Sequence, residues 1–465
     1  MTIKPKTGNN NLPKVFIKTF GCQMNKLDSE LIFGSLVKKG YMLVSDEEIA
    51  DVILFNTCSV RQKAEDKVYS QLGRLKKRKE ERPDLIIGVM GCMAQNEGEK
   101  ILERMPHVSL VCGTRMFLKL PSFLEEINRS NRQILAINED VTVDYDRLVT
   151  QRLNRFSAFV SIMRGCDNYC SYCIVPYVRG REFSRSVEDI VNEVKGLVDD
   201  GCKEITLLGQ NVNSYGKGLH SNSTLATLLQ KLDTVDGIER IRFVTSHPKD
   251  MSKEILEAVG ELRSVCEHLH MPAQSGSDRI LQKMRRFYTS SQYRELIDMA
   301  RDLVPDITIA SDFIVGFPGE SDDDFNDTVT LMKEVRYQNC FTFKYSPRTG
   351  TYAEKFVDDV TEEIKKKRNH ILLELQSEIS TKMNKEKIGK SVEVLVEGTS
   401  KTDKSKLTGR TRQNQIVVFH SPERFFPEHS ISDSRAGDPS SFIGKLVNVT
   451  INDATDLTLY GCVRE

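Results

Sequence analysis

The sequence predicts an α/β fold in three consecutive parts: a Rossmann-like parallel α/β domain, a partial (β/α)6 barrel and a small all-β barrel. Three observations lead to this prediction. The chain has 465 residues, about three times the usual length of one domain. Strand-length apolar runs alternate with amphipathic helical stretches as far as residue 345. Beyond Lys390 the strand-length runs continue without helices between them.

The first part, from about Val15 to Glu126, contains four short apolar runs separated by amphipathic stretches such as Leu27–Lys39 and Ala64–Arg78. The apolar runs, which we interpret as strands, are Val15–Phe20, Val52–Phe55, Leu85–Met90 and Val108–Val111. Repeated strand–helix units imply a parallel sheet that is covered by helices on its faces.

The second part follows a polar connector, roughly Asn128 to Arg155, and contains six further strand candidates that alternate with helical segments. They are Ala158–Met163, Glu204–Leu208, Ile241–Thr245, His268–Met271, Thr308–Val315 and Cys340–Tyr345. Six strand–helix units are too few for a complete eight-unit barrel. The sequence therefore predicts an open, partial barrel, which leaves a lateral gap through which a large substrate can enter.

The last part has strand-length runs at Val392–Val396, Gln415–Val418 and Leu446–Asn452, with turn residues between them. This spacing is typical of a small all-β module. No internal repeat is visible along the chain.

The composition excludes several classes of protein. With 39% hydrophobic and 28% charged residues, the chain is neither disordered nor fibrous. Its 66 basic and 66 acidic side chains cancel, which argues against nucleic-acid binding through bulk positive charge but not through a local patch. No apolar run is long enough to span a membrane, and the first residues do not form a secretory signal. We therefore expect a cytoplasmic protein without a membrane partner. Its eleven cysteines are odd in number and cluster along the chain, which points to metal or redox chemistry.

The segment Arg164-Gly-Cys-Asp-Asn-Tyr-Cys-Ser-Tyr-Cys contains Cys166, Cys170 and Cys173, here called the barrel triplet. It directly follows the first strand of the second part, at the strand end where such folds place their chemistry. Thiolates are soft ligands, and one short loop can wrap three of them around an iron–sulfur cube, leaving one iron open to a small molecule. The alternatives are a zinc site or chance clustering, but no second CxxC pair follows at zinc-finger spacing.

Three further cysteines, Cys22, Cys58 and Cys92, each follow a predicted strand of the first part and are here called the N-terminal triplet. Because parallel strands end at the same edge of a sheet, we expect the three side chains to converge there. Gly21 and Gly91 precede two of them and permit the tight backbone turns that a cluster requires. The alternative is that these cysteines are buried and inert.

The other potential ligands are expected to be structural. Cys112 follows the fourth strand and is either a fourth ligand or, as we expect, a core residue, and the same core role is predicted for Cys202, Cys266 and Cys340. Cys462 has no assignment. His268 and His270 share one strand face, and we expect them to line the barrel or to form hydrogen bonds near the substrate rather than to bind a metal ion.

With both triplets in place, the chain resembles the radical S-adenosylmethionine (SAM) methylthiotransferase family over nearly all of residues 15–464. In that family a cluster-binding α/β domain precedes a radical SAM partial barrel and a small β-barrel called TRAM. The boundaries that this order implies here are 13–130, 152–384 and 387–464. The segments Cys22-Gln-Met-Asn, Cys173-Ile-Val-Pro-Tyr-Val-Arg-Gly-Arg-Glu and Ser184-Arg185 are similar to the MiaB-type branch, which acts on N6-isopentenyladenosine in tRNA.

The resemblance implies that each triplet holds a [4Fe–4S] cluster and that the barrel triplet also binds SAM. The implied reaction adds a methylthio group to C2 of the N6-isopentenyladenosine next to the anticodon, in the anticodon stem-loop of a tRNA. The barrel cluster would reduce SAM to a 5′-deoxyadenosyl radical that removes the C2 hydrogen, and the N-terminal cluster would supply the sulfur. An electron donor of flavodoxin or ferredoxin type is implied as a further partner.

By the same resemblance, six residues near the ends of barrel strands are expected to contact SAM. They are Tyr172, Gln210, Asn211, Ser311, Asp312 and Gly316. At Gln210 a neutral amide stands where many radical SAM enzymes have an acid. Each of the six is alternatively an ordinary strand-end or turn residue. The segments Pro272–Ser277 and Met284–Arg286 also resemble the family, without an assigned role.

The zero net charge conceals a local excess of positive charge in the last part. Only Asp403 is acidic in a stretch that carries the basic residues Lys401, Lys404, Lys406, Arg410 and Arg412. Such a patch on a small β-module suits contact with RNA phosphates, which gives affinity but little sequence specificity. Specificity is expected from an unpaired loop base presented to the barrel. The alternative is a solvated loop.

Two other functions stay open on the sequence alone. The first is a methylthiotransferase that modifies a ribosomal-protein aspartate or threonylcarbamoyl-adenosine. Branches with these substrates usually carry a lysine after the first cysteine, whereas this chain has Gln23. The second is an iron–sulfur electron carrier fused to an RNA-binding module, which would not cleave SAM.

Overall fold

The computed structural model describes residues 12–59, 62–137, 152, 154–219, 223–420 and 439–463, without the side chains of residues 62–64, 439 and 440. The chain folds into two compact units. The N-terminal unit contains the residues up to 153 together with Cys173–Arg181, and the C-terminal unit contains Asn154–Tyr172 and the residues from Glu182 onward. No described helix is both long enough and apolar enough to cross a membrane.

The N-terminal unit is built on a six-stranded, fully parallel sheet in the order β2-β1-β3-β4-β5-β6. Its strands are β1 (Lys14–Thr19), β2 (Met42–Leu43), β3 (Val52–Thr57), β4 (Ile86–Gly91), β5 (Leu110–Cys112) and β6 (Ile134–Ala136). Its helices are α1 (Gln23–Lys38), α2 (Gln62–Glu81), α3 (Cys92–Glu97), α4 (Glu99–Arg104), α5 (Leu120–Ser130) and α6 (Val175–Arg179). The predicted parallel α/β domain is thus confirmed.

Helices cover both faces of this sheet, because alternate residues of the central strands enter two different apolar clusters. Leu54 and Met90 lie in one cluster, and Ile53 and Val89 lie in the other. The chain leaves β1 toward β2 on one side and returns to β3 on the other side. This reversal creates a switch point between β1 and β3, the place where doubly wound sheets usually bind ligands.

The C-terminal unit begins with the predicted partial barrel, in which two three-stranded parallel sheets follow each other. They contain β7 (Ser157–Ser161), β10 (Glu204–Leu208) and β11 (Arg240–Phe243), then β12 (His268–His270), β13 (Thr308–Val315) and β14 (Asn339–Lys344). A bridge between Ile241 and Val265 connects the two sheets. A short ribbon of β8 (Met163–Arg164) and β9 (Phe183–Ser184) flanks the first strand.

In the described residues, seven helices accompany these strands. They are α7 (Val187–Asp199), α8 (Leu225–Asp233), α9 (Lys253–Glu261), α10 (Asp278–Lys283), α11 (Ser290–Leu303), α12 (Asp322–Val335) and α13 (Glu362–Lys385). Helix α13 is absent from the sequence prediction. Its buried side includes Lys365, Arg368, Gln376 and Asn384, so polar side chains interrupt its apolar face.

The chain ends in a closed five-stranded barrel in the order β15-β16-β17-β19-β18. Its strands are β15 (Ser391–Thr399), β16 (Lys406–Thr411), β17 (Ile416–His420), β18 (Leu446–Ala454) and β19 (Thr458–Val463). The all-β prediction is confirmed. Strand β16 was not predicted because it carries the basic residues Lys406 and Arg410 and buries only Leu407, Gly409 and Thr411.

Strand β16 and the turn after it are fixed to the partial barrel. Arg240 and Arg242 donate to the carbonyl oxygens of Arg410 and Thr411 at 2.8 and 2.6 Å. In addition, the hydroxyl of Thr308 donates to the carbonyl oxygen of Gln413 at 2.9 Å. The closed barrel is therefore attached to the partial barrel through hydrogen bonds to its backbone carbonyl oxygens and not only through side chains.

Candidate functional site

The N-terminal triplet lies along the carboxyl edge of the parallel sheet. Cys22 caps the start of α1 after β1, Cys58 directly follows β3, and Cys92 begins α3 after β4. The first two cysteines flank the switch point. The backbones approach so closely that a Cβ at Gly21, whose φ is +126°, would lie 2.4 Å from the Cβ of Cys58. The expected positions at the strand ends are therefore observed.

The environment of these thiols favours negative charge at Cys22. A hydrogen bond with Cys58 lowers the pKa of the Cys22 thiol to about 6, against the effect of burial and with help from Arg179. Burial raises the pKa of Cys92, and the Arg179 charge opposes that rise. Arg179 in turn donates to Asp28 at 2.8 Å, and both side chains are almost fully buried. The buried Arg179 cation thus favours the thiolate forms of two of the three cysteines, Cys22 and Cys92.

Cys112 does not belong to this group. It packs in the apolar cluster on one face of the sheet, as expected for a core residue. Cys202, Cys266 and Cys340 are likewise buried.

The barrel triplet lies in the loop that follows β7 and β8. Cys166 and Cys170 are buried, and burial raises the pKa of Cys166 to about 11. Between Cys170 and Cys173, Ser171 donates from its backbone nitrogen to the carbonyl oxygen of Met284 at 3.0 Å. Its hydroxyl donates to the carbonyl oxygen of Lys283 at 2.8 Å. Cys173 is half-buried and begins the segment that belongs to the N-terminal unit.

Three of the predicted SAM contacts lie next to this loop or at its side of the barrel. The Gln210 amide oxygen accepts from the backbone nitrogen of Gly165 at 2.5 Å, directly before Cys166. Asn211 is buried and donates to Asp250 at 2.8 Å. Tyr172 packs with a small apolar cluster that includes Phe317.

The other three predicted contacts are engaged within the barrel. The Ser311 hydroxyl accepts from the backbone nitrogen of Ala273 at 2.9 Å and donates to a neighbouring carbonyl oxygen. An Asp312 oxygen lies 3.5 Å from Nε2 of His270. Gly316 has a φ of +68°, and a Cβ there would lie 2.3 Å from Cγ of Lys365. The glycine is therefore required for the packing of α13.

Arg286 and His247, two side chains that contact Tyr288, were not assigned from the sequence, and Arg286 also contacts the barrel triplet. Nη1 of Arg286 donates to Sγ of Cys170 at 3.5 Å. His247 accepts at Nδ1 from the backbone nitrogen of Lys249 at 3.2 Å. Its pKa lies below the usual range because of burial and the Arg286 charge, so the neutral ring carries its proton on Nε2. That atom is buried without a hydrogen-bond partner in the described chain.

The donor set of both triplets consists of thiols. Within the part of the chain that the structure describes, no three His, Cys, Asp or Glu side chains lie close enough together to bind a single metal ion. An iron–sulfur cube spreads its thiolate ligands farther apart than one ion does, and sulfur-only ligation is typical of such clusters. The all-thiol set at a strand edge, with the Arg179 charge beside it, fits an iron–sulfur cluster.

The basic patch is more neutralised than the sequence predicted. Arg412 forms a two-pronged ion pair with Glu267 of the partial barrel at 2.7 and 3.0 Å. Arg410 pairs with Glu397 at 3.2 Å. Lys406 lies 3.6 Å from Asp403. By contrast, Lys401 and Lys404 are exposed in the loop between β15 and β16.

Comparison with known families divides the chain in the order already described. Residues 14–113 match the family described as "Uncharacterized protein family UPF0004". Residues 160–332 match the radical SAM superfamily, and residues 385–463 match the TRAM domain.

Two solved structures share the fold. One is the radical SAM methyltransferase TsrM from Kitasatospora setae, with a TM-score of 0.51 and 13% identity over 71% of this chain and 72% of that chain. The other is the cobalamin-dependent SAM radical enzyme OxsB, with a TM-score of 0.52 and 17% identity over 77% of this chain and 56% of that chain. At these identities the likeness concerns the fold alone.

Curated relatives extend over nearly the whole chain. A Clostridium botulinum protein (strain Loch Maree / Type A3) named tRNA-2-methylthio-N(6)-dimethylallyladenosine synthase is 48% identical over 454 residues, 97% of each chain. A Clostridium beijerinckii protein of the same name is 48% identical over 452 residues, 97% of this chain and 96% of the relative. The chain therefore belongs to the radical SAM methylthiotransferase family, in the branch of the tRNA-2-methylthio-N(6)-dimethylallyladenosine synthases.

Proposed function

We propose that this chain is a tRNA methylthiotransferase that adds a methylthio group to C2 of N6-isopentenyladenosine next to the anticodon. The observation that carries the proposal is the presence of two separate cysteine triplets, each at the carboxyl end of parallel strands, in a chain 48% identical to enzymes named for this product. C2 of adenine carries no leaving group, so polar substitution has no easy route. A chain with two thiol-lined sites suits a reaction that needs both hydrogen removal and sulfur insertion.

In this proposal the N-terminal triplet holds one [4Fe–4S] cluster, and the barrel triplet holds a second that binds SAM. When bound, these groups supply the radical and the sulfur. Arg179 favours the thiolate forms of Cys22 and Cys92, which are the forms that ligate iron. Gln210 positions the start of the barrel loop through Gly165. In this proposal the cluster-binding domain spans residues 13–130, the radical SAM domain residues 152–384 and the TRAM domain residues 387–464.

The proposed RNA interface combines charge with exposed aromatic rings. Lys401 and Lys404 are available for phosphates. Phe183 and Phe287 are 62% and 68% exposed, and unpaired RNA bases commonly stack on such rings. Phe287 directly follows Arg286, which contacts the barrel triplet. An adenosine turned out of the anticodon loop could therefore stack close to the SAM site.

Two further parts of the proposal concern the surroundings of the enzyme. Reduction of SAM requires a low-potential electron, and we propose a donor of flavodoxin or ferredoxin type. Free thiols that ligate iron persist in a reducing compartment, so we propose that the enzyme acts in the cytoplasm.

The test is an anaerobic assay with reconstituted protein, dithionite, SAM and tRNA that carries N6-isopentenyladenosine. Cys170→Ala should abolish formation of 5′-deoxyadenosine, whereas Cys58→Ala should still form it but yield no methylthio nucleoside. Cys112→Ala is the matched control, since its thiol lies in the core, and it should retain both products.

Mass spectrometry of a deletion strain completes the test. Accumulation of N6-isopentenyladenosine in tRNA is expected. Loss of the modification from a ribosomal protein instead would favour the alternative substrate. Wild-type protein that binds iron but forms no 5′-deoxyadenosine would point to an electron carrier.

A further inference from the structure

Arg286 places a buried positive charge in contact with the barrel triplet. Its side chain is only 5% exposed. Nη1 donates to Sγ of Cys170 at 3.5 Å, Nη2 donates to the carbonyl oxygen of Pro272 at 2.8 Å, and Nε donates to the hydroxyl of Tyr288 at 3.1 Å. That hydroxyl donates in turn to the carbonyl oxygen of Ala273 at 2.7 Å. Each nitrogen of the guanidinium thus has a fixed direction.

In the described part of the chain, no carboxylate pairs with the charge of Arg286. Among the residues that the structure describes, no aspartate or glutamate forms an ion pair with this guanidinium, and its partners are a thiol, a carbonyl oxygen and a hydroxyl. The buried Arg242 of the same barrel differs, because it pairs with Glu204 at 3.0 Å. A buried cation without an anion is costly. Among the described contacts of Arg286, the sulfur of Cys170 is the atom that would carry negative charge as a ligand of iron.

The backbone around this contact is strained. Arg285 and Phe287, on either side of Arg286, have φ values of +57° and +58°, and Tyr169, directly before Cys170, has a φ of +45°. Residues other than glycine rarely adopt positive φ values, and such backbone strain persists where the surrounding structure enforces it. The strained turns hold the guanidinium and the sulfur against each other.

We infer that Arg286 is a positioning residue for the barrel cluster: it donates to the Cys170 sulfur and offsets the negative charge of the thiolate-bound cluster. The inference rests on the proposed function, which assigns a [4Fe–4S] cluster to this triplet. Addition of one electron makes the cluster more negative, and a nearby cation with an N–H···S bond stabilises that reduced form. Arg286 therefore raises the potential at which a flavodoxin- or ferredoxin-type donor can reduce the cluster.

The experiment is an EPR-monitored redox titration of full-length protein in which Cys22, Cys58 and Cys92 are all replaced by alanine, so that only the barrel cluster contributes. Arg286→Met removes the charge and the donor, and Arg286→Lys keeps the charge. With methionine, the ratio of reduced to oxidised cluster at a fixed potential should fall about tenfold, which is about 59 mV for one electron. Lysine should restore at least half of this shift.

Arg242→Met is the matched control, since it removes a buried arginine of the same barrel that has its own carboxylate. Its melting temperature should fall while its midpoint potential stays at the wild-type value. A wild-type potential in Arg286→Met, or equal shifts with lysine and methionine, would overturn the inference. If the Arg286→Met protein binds no cluster, the iron content of the variants is compared instead. Loss of iron only in the Arg286 variants supports the role of Arg286 at the cluster, and the same loss of iron in Arg242→Met refutes it. Absence of any cluster in the parent protein would instead refute the proposed function.

Discussion

The buried ion pair between Arg179 and Asp28 allows a quantitative test of the N-terminal site. Asp28 is fully buried and Arg179 is 5% exposed, with 2.8 Å between their charged atoms. Removal of one partner leaves the other charge buried and uncompensated, which costs about 3–5 kcal/mol in such pairs. Arg179→Met should therefore destabilise the sheet edge around β1 and β3 by about 3 kcal/mol, the lower end of that range, because Asp28 keeps a further interaction of its own.

Hydrogen exchange followed by mass spectrometry measures this effect locally, on peptides that cover β1 and β3 of the full chain. At about 1.4 kcal/mol per tenfold change in an equilibrium constant, exchange should accelerate by roughly 100-fold or more where it proceeds through opening of this region. The double variant Arg179→Met/Asp28→Leu removes both charges and should recover most of the loss. Exchange within twofold of wild type in the single variant, or additive losses in the double variant, would refute the reasoning.

Three other predictions follow from the same geometry. Gly316→Ala should lower the free energy of unfolding by about 1–3 kcal/mol, seen as a lower melting temperature, because φ at Gly316 is +68° and the added methyl group would meet Lys365 of α13. Gly196→Ala is the control: this helical glycine has open space around it, so the change should be neutral or slightly stabilising. Phe287→Ala should weaken tRNA binding in a gel-shift assay by about 1–3 kcal/mol through loss of base stacking, and unchanged affinity would remove this residue from the RNA interface. Replacement of both Lys401 and Lys404 by alanine should reduce the salt dependence of tRNA binding by a slope of about 2, and an unchanged slope would place the phosphates elsewhere.

Much of the fold could be predicted because its strands are apolar and regular. Thr308–Val315 and Glu204–Leu208 have the predicted bounds, since both are continuous apolar-rich runs between turn residues. The two-residue β2 and the three-residue β6 were missed because edge strands of that length carry almost no pattern. Helix α13 was missed because it buries polar residues, for example Arg368, which pairs at 2.7 Å with Glu320 in the loop between β13 and α12.

The site could be predicted only in part. Cysteines recur after strands, and the parallel topology then places the N-terminal triplet along one edge without further information. The roles of Arg179 and Arg286 could not be derived, because their partners Asp28 and Cys170 are far away in the sequence. For the same reason the basic patch was overestimated, since Glu267, which pairs with Arg412, lies 145 positions earlier.

The attachment of β16 to the partial barrel has a consequence for substrate choice. Hydrogen bonds from Arg240, Arg242 and Thr308 fix the backbone of this strand and of the turn after it. The loop with Lys401 and Lys404 directly precedes this strand. Arg240 and Thr308 are the first residues of β11 and β13, so the strand is attached at the amino ends of the barrel strands, opposite the carboxyl ends where the barrel triplet lies. The C-terminal barrel therefore sets a fixed separation between these two lysines and the barrel triplet. If both proposed sites are occupied at once, only a nucleotide at a matching distance along the tRNA from the bound phosphate can reach the barrel triplet, and this separation would select a position in the anticodon loop without contacts to the bases between.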